Sequence, residues 1–212
     1  MSRFLKEEIK NTLIDYPNLK FNKTKYTVTG DFEIINENTG VIIETYNLKI
    51  EIPVRFTKLI LPRVTEISHK IPRHPDRHVY KDGLFCLGTP LSEYLICSKG
   101  ITFKEFIEKI LRPFLATQLA ITKKWLSSFP QGEFGHGAIG IYESYSDFFN
   151  TKDKNTIITG IKIALNKNQR NKVCFCSSGK KLKHCHMEYF NILRTFGKKQ
   201  LLIDLKLINS LP

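Results

Sequence analysis

The chain has 212 residues, enough for one medium domain with a small appendage or for a single larger domain. Hydrophobic residues are 42%, charged residues 25% and the formal net charge is +13, a composition ordinary for a globular protein with a real core. No apolar run approaches the roughly 18 residues of a membrane span, the charged opening lacks the apolar centre of a signal peptide, and an odd cysteine count argues against a disulfide framework, so the expectation is a cytoplasmic protein with no membrane partner.

Residues 2–15 predict a short helix, with Phe4, Leu5, Ile9, Leu13 and Ile14 near a 3.6 period and Tyr16-Pro17-Asn18 ending it. Residues 25–35 and 41–53 predict strands joined by a hairpin turn at Asn36-Glu37-Asn38-Thr39-Gly40. In the second of these, Tyr46, Leu48, Ile50 and Ile52 alternate with polar residues, as in a strand buried on one face. Residues 63–68 predict a third strand. Residues 69–100 read as irregular, broken by Pro72, Pro75, Gly83, Gly88, Pro90 and Gly100, and irregular stretches of this length are more often functional.

Thr102-Phe103-Lys104-Glu105 is a capping box, with Ile101 and Phe106 placed as a hydrophobic staple. An apolar stripe from Phe103 through Trp125 and Leu126 predicts a core helix reaching about Phe129, kinked or split at Pro113. Gly132, Gly135, Gly137 and Gly140 do not make a phosphate-binding loop, because the Gly-Lys-Ser/Thr ending and the preceding strand are missing. Polar stretches at 150–156 and 165–172 place a boundary near 150–170: a domain at 1–150, a linker at 151–170 and a tail at 171–212. Residues 187–212 read as amphipathic and mostly helical, with a break at Gly197.

The tail carries the densest chemistry. Residues 174–186 hold Cys174, Cys176, Cys185 and His186, with Ser177-Ser178-Gly179 reversing the chain between the two pairs. Thiolate and imidazole in this pattern make a four-ligand tetrahedral zinc set, filled and therefore structural, with His184 a spare imidazole. Ten Lys/Arg but only Glu188 of opposite sign lie in 161–200. That excess reads either as a solvated face offsetting a thiolate-rich site or as a surface for weak nucleic-acid contact.

Cys86 follows a tight Asp82-Gly83 turn in the long irregular stretch, downstream of His74 and His78. Composition leaves two readings open: a structural cysteine between Phe85 and Leu87, or a nucleophile helped by His74, Arg77, His78 and Lys81. Cys97, after Leu95-Ile96, reads as buried packing.

Two resemblances bear on these sites. The order of elements, the run from Tyr46 to Pro53, Leu61-Pro62-Arg63-Val64, His74-Pro75-Asp76 and Gly83-Leu84-Phe85-Cys86-Leu87 resemble the ubiquitin-conjugating enzyme family over residues 1–150. The glycine-rich run from Phe129 to Gly140 is similar to a segment of prokaryotic relatives found in anti-phage systems of the cyclic-oligonucleotide type (CBASS). The resemblance implies an α+β fold: an N-terminal helix, a four-stranded antiparallel meander and C-terminal helices, followed here by the small zinc tail. It implies that Cys86 accepts an acyl group as a thioester and passes it to an amine. The donor would be the C-terminal tail of a ubiquitin-like protein or a cyclic-nucleotide synthase, supplied by an activating enzyme. Asp76 stands where the family has Asn and cannot donate to an oxyanion, so His78 is the candidate donor or acid/base, with His74 and His136 as further candidates. A non-catalytic adaptor on the same fold is the rival reading. Cys174-x-Cys176, Ser178-Gly179-Lys180-Lys181 and Cys185-His186 resemble the SEC-C zinc motif of the bacterial translocase SecA, which implies partner docking rather than chemistry.

Overall fold

The computed structural model describes residues 2–54, 56, 59–129, 134–166, 168–176 and 178–212. Gly132 of the glycine-rich run and Ser177 of the tail reversal lie outside the described residues. The fold is mixed α+β. The chain divides into two compact units, Met1–Gly88 with Glu93–Glu133, and Thr89–Ser92 with Phe134–Pro212.

The first unit opens with helix α1 (Arg3–Thr12), capped by the Ser2 side chain, which accepts from the Leu5 N–H. A four-stranded sheet follows in the order β1 (Leu19–Asn22), β2 (Thr27–Ile35), β3 (Ile42–Glu51) and β4 (Arg63–Glu66), antiparallel throughout. The expected hairpin at 36–40 closes β2 on β3, with Gly40 N–H donating to the Asn36 carbonyl at 2.8 Å. β1 is a strand that propensity does not announce; its four residues pair with Thr27–Gly30 of β2.

Register decides which face is core. Val28 pairs with Ile50 and Phe32 with Tyr46 across β2 and β3, and Ile50 pairs with Val64 of β4. Paired residues share a face, so these side chains form one apolar surface, and all are buried. Leu5 and Ile9 of α1 join the same cluster.

The capping box forms as expected: the Thr102 hydroxyl accepts from Glu105 N–H and the Glu105 carboxylate accepts from Thr102 N–H. It starts α3 (Phe103–Phe106), which passes through one wide π-helical turn at Ile107–Leu111 into α4 (Arg112–Thr122). The ladder widens immediately ahead of Pro113, whose ring has no N–H and would clash with a carbonyl four residues back. Phe103, Phe106, Ile107, Leu111 and Leu115 complete the core.

Two expectations need correction. The helix stops at Thr122 rather than near Phe129, because Lys124 turns left-handed at φ +61 and Trp125 and Leu126 donate back to Ala120. Trp125 and Leu126, expected in the core, are exposed. Within the stretch expected to be irregular lies α2 (Pro90–Ser98); Thr89 and Ser92 exchange hydrogen bonds at its start, and Pro90 suits a first helical position. Cys97 on α2 is fully buried, as expected.

The second unit is helical. It holds α5 (Ala138–Phe149), α6 (Lys154–Leu165), α7 (Met187–Phe196) and α8 (Lys198–Asn209). The expected break at Gly197 separates the last two. Residues 154–165, read from sequence as linker, form α6: Asp153 caps it through Asn155 and Thr156 N–H, and Ile157, Ile158, Ile161 and Ala164 bury one stripe. Asp204 is buried beside Tyr145, whose hydroxyl donates to it at 2.9 Å, and Gln200 donates at 2.7 Å. Among the described residues no cation reaches it.

Two outcomes follow for this unit. A Cβ on Gly160 would meet the Phe149 ring at 2.7 Å, so Gly160→Ala should lose about 1–3 kcal/mol of stability in urea unfolding, through overpacking. Burial holds the Asp204 carboxyl above the usual carboxylate range. The folded state therefore binds its proton more tightly than the unfolded state, and the penalty for burying the charge is present at neutral pH and fades as pH falls through the raised value. Asp204→Asn should be more stable than the natural chain at pH 7, and the gap should narrow on acidification when unfolding is measured across that range.

Candidate metal centre and loop thiol

Cys174, Cys176, Cys185 and His186 come together as their spacing suggests. Their ligand atoms all lie within 4.8 Å of one another. Cys174 Sγ and Cys185 Sγ approach His186 Nδ1 at 3.2 and 3.1 Å, and Cys176 Sγ lies 3.5 Å from Cys185 Sγ. A tetrahedral ion bonded at about 2.3 Å to sulfur and about 2.0 Å to nitrogen needs ligand atoms roughly 3.5–3.8 Å apart, which these separations bracket. The donor set fits one thiolate-binding metal ion and fills all four of its positions.

The backbone makes this cluster before any ion is considered. Val173 and Lys181 form an antiparallel bridge, Cys174 N–H donates to the Lys180 carbonyl at 2.8 Å, and Leu182 N–H donates to Lys172 at 2.8 Å. A 3₁₀ turn at Leu182–His184 then delivers Cys185 and His186 to the start of α7. Leu182 is buried beneath the turn, while His184 is exposed and outside the cluster. Phe175, the residue between the first two thiols, anchors the knuckle. Its ring lies 5.3 Å from Phe149 of α5, 5.7 Å from Phe190 of α7 and 5.2 Å from His186. Tyr189 also packs against His186, at 5.1 Å. Sequence reading passed over Phe175; the available signal was an aromatic residue between two metal ligands. Burial pushes the Cys174 thiol up to about 11, whereas a hydrogen bond with Ser178 draws Cys176 down to about 6. Lys172, Lys180 and Lys181 are exposed around the knuckle, and among the described residues no carboxylate pairs with them.

Cys86 is held differently. Residues 83–86 run antiparallel beside β4: Phe85 N–H donates to the Val64 carbonyl at 2.8 Å and Thr65 bridges Leu84. On their other side Val79 bridges Phe85, with Tyr80 N–H donating to Leu84 and Cys86 N–H to His78, both at 2.8 Å. Gly83, at φ +86, makes the turn between the two short runs. Alternation then sorts the side chains. Val79 and Phe85 point into the core and are buried, while Cys86 is half-buried and Tyr80 is 54% exposed. The Cys86 thiol lies 3.9 Å from the Gly88 carbonyl, and its hydrogen bond with the Tyr80 hydroxyl pushes that phenol up to about 12. Glu93, on α2 nearby, is pushed up to about 7 by burial, and burial raises the Cys97 thiol to about 12.

The other expected residues have separate positions. His74 caps the 3₁₀ turn Pro75–Arg77: its Nδ1 accepts from Asp76 N–H at 3.3 Å and stands 3.5 Å from the Asp76 carboxylate. His78 is left-handed at φ +49, and its ring packs against Phe129 at 4.6 Å. Its backbone carbonyl accepts from the Cys86 N–H. Arg77 is engaged elsewhere, donating to the Gln118 side chain at 2.8 Å and to the Thr122 hydroxyl at 2.7 Å. His136 belongs to the second unit and is exposed. Tyr80 and Glu93 were missed: Tyr80 lies two residues past His78 with no motif around it, and Glu93 sits in a helix that was read as loop.

A family model described as the SEC-C motif matches residues 170–188, the segment that forms the knuckle. No curated protein and no solved structure matches the chain. No helix among the described residues is long and apolar enough to cross a membrane.

Elemental analysis of the purified chain should find one metal ion per molecule, lost in Cys174→Ser. Chelation should lower the thermal midpoint of the natural protein and leave that of Cys174→Ser unchanged. Phe175→Ala should retain the four ligands yet release the ion faster to a chelator, having lost aromatic packing worth about 2 kcal/mol.

Proposed function

We propose that this chain is a ubiquitin-conjugating-like acyl carrier, working through a thioester on Cys86, with a zinc-clasped basic tail that docks a protein partner. The observation that carries the reading is the double ladder at 78–80 and 83–86. It buries Phe85, next to Cys86, and its cross-strand partner Val79 and turns the thiol outward, whereas Cys97 is sealed in the core. A structural cysteine would be better served by the inward positions of Val79 and Phe85. The N-terminal helix, four-stranded meander and following helices agree with the fold that the sequence resemblance implies.

The chemistry balances without a redox partner. Cys86 Sγ attacks the carbonyl carbon of an activated C-terminal glycine, a new S–C bond forms, and the donor's leaving group departs with the proton. An amine then attacks the same carbon, the S–C bond breaks, and the thiol is regenerated as the amine loses its proton. The acyl donor is a ubiquitin-like protein or another defence-system protein with an accessible tail, acting in bacterial anti-phage defence in the cytoplasm. Zinc suits the three-sulfur, one-nitrogen donor set, and a filled tetrahedral site has no position for water, so its role is to fold the knuckle.

A ubiquitin-like protein activated as a small-molecule thioester is the probe. The natural chain should form an adduct cleaved by excess thiol, Cys86→Ser a thiol-resistant oxyester, and Cys86→Ala none, as read by intact-mass spectrometry. An adduct that forms equally well on Cys86→Ala, or no adduct on the natural chain, defeats the carrier reading and leaves a non-catalytic adaptor.

A further inference from the structure

We infer that Gln118 is a positioning residue for Cys86, clamping the main chain at Arg77, one residue before the carbonyl that holds the Cys86 N–H; this rests on the carrier reading above. Four hydrogen bonds make the clamp. Arg77 Nε donates to the Gln118 side-chain oxygen at 2.8 Å. Its Nη2 donates to the Gln118 carbonyl at 2.8 Å and to the Thr122 hydroxyl at 2.7 Å. The Gln118 side-chain amide returns a bond to the Arg77 carbonyl. Side chain and backbone of Arg77 are therefore both tied to the end of α4.

Burial makes this pairing informative. The other buried residues of α4, Phe114, Leu115 and Leu119, are apolar, while Gln118 is polar and 0% exposed. A buried amide is costly unless its donor and its acceptor are both matched, and an apolar side chain would serve the core alone at least as well. Arg77 supplies both matches. The next residue, His78, is left-handed at φ +49, a conformation that a residue other than glycine keeps only where its surroundings enforce it. The clamp stands on one side of that residue. On the other, the His78 carbonyl accepts from Cys86 N–H at 2.8 Å. Arg73 reaches the turn from the same segment: it donates to the Lys81 carbonyl at 3.1 Å, and its guanidinium lies against Gly83, where a Cβ would meet it at 3.1 Å. Segment 73–78 thus brackets the turn and the outer run of the thiol loop, and α4 holds the bracket through Gln118. Phe85 is held separately, by Val64 of β4. A thiol that attacks an acyl carbon needs a fixed approach, and a misplacement of about 1 Å by a distant change costs about 10²-fold in rate.

The test uses the full metal-loaded chain and two readouts: amide hydrogen exchange by NMR, and acylation by the ubiquitin-like thioester of the adduct assay. Gln118→Met keeps the volume of the side chain and removes both amide bonds. It should speed exchange at the Cys86 N–H about ten-fold, the worth of one or two hydrogen bonds, and leave the Phe85 N–H at its natural rate. The maximal rate of Cys86 acylation should fall about ten-fold while the half-saturating donor concentration stays the same. Arg77→Met should repeat the effect, and Arg77→Lys, which keeps a donor for the Gln118 oxygen, should recover part of it. Exchange that quickens equally at Cys86 and Phe85 overturns the assignment, because it reports a general loss of stability. So does an unchanged maximal rate in Gln118→Met, or a change confined to the half-saturating concentration. Hydrogen exchange needs no acyl donor. A Cys86 N–H freed by Gln118→Met, in a protein whose natural chain forms no Cys86 adduct, therefore keeps the clamp and defeats the carrier. An adduct on the natural chain, with exchange indifferent to Gln118→Met, does the reverse.

Discussion

The hydrogen bond from Phe85 N–H to the Val64 carbonyl is the constraint on which the thiol loop depends. β4 would otherwise present an open edge, a row of unpaired backbone groups. Segment 83–86 covers it, and the pairing in turn fixes the phase of the segment. A slip of one residue would bury Cys86 and expose Phe85, against a loss of about 2 kcal/mol or more for the aromatic ring. The apolar ring thus decides where the thiol points. The same register logic runs back through β3 and β2, whose paired apolar residues define the core face that β4 extends.

The second unit solves a different problem. Its knuckle has few apolar residues of its own: Leu182 beneath the turn and Phe175 between two ligands. Backbone bonds across the Val173–Lys181 bridge bring the four ligands close, and Phe175 ties them to α5 and α7 through Phe149 and Phe190. An ion binding there closes a loop that hydrophobic burial alone would hold weakly. Lys172, Lys180 and Lys181 are exposed around the knuckle and leave a basic surface on its outside.

The two cysteine sites differ in how far sequence could reach them. The four clustered Cys and His residues are local, confined to thirteen residues, and one reversal of the chain assembles them. Their spacing is therefore sufficient. The surroundings of Cys86 are assembled from β4, a turn and α2, and no spacing rule connects Tyr80 or Glu93 to it. The misread helix shows the same limit from another side. Thr89-Pro90-Leu91-Ser92 is a legible helix start, but Pro90 and the neighbouring glycines give the same segment the composition of a loop. The stripe past Thr122 continued in sequence after the backbone had turned left-handed at Lys124, since apolar periodicity does not register a cap made by a residue other than glycine.

What the amino-acid order determined by itself is the local part of the protein: the alternating strand at 42–51, the hairpin at 36–40, the capping box at Thr102, the break at Gly197 and the cluster of Cys174, Cys176, Cys185 and His186. Each depends on residues a few positions apart, where side-chain chemistry and backbone geometry act directly. The tertiary structure alone decided that 151–170 carries a helix of the second unit, that Asp204 is buried between Tyr145 and Gln200, and that Cys86 faces outward beside Tyr80. Those outcomes depend on which surfaces meet, and burial and edge pairing between distant segments settle them only once the chain has folded.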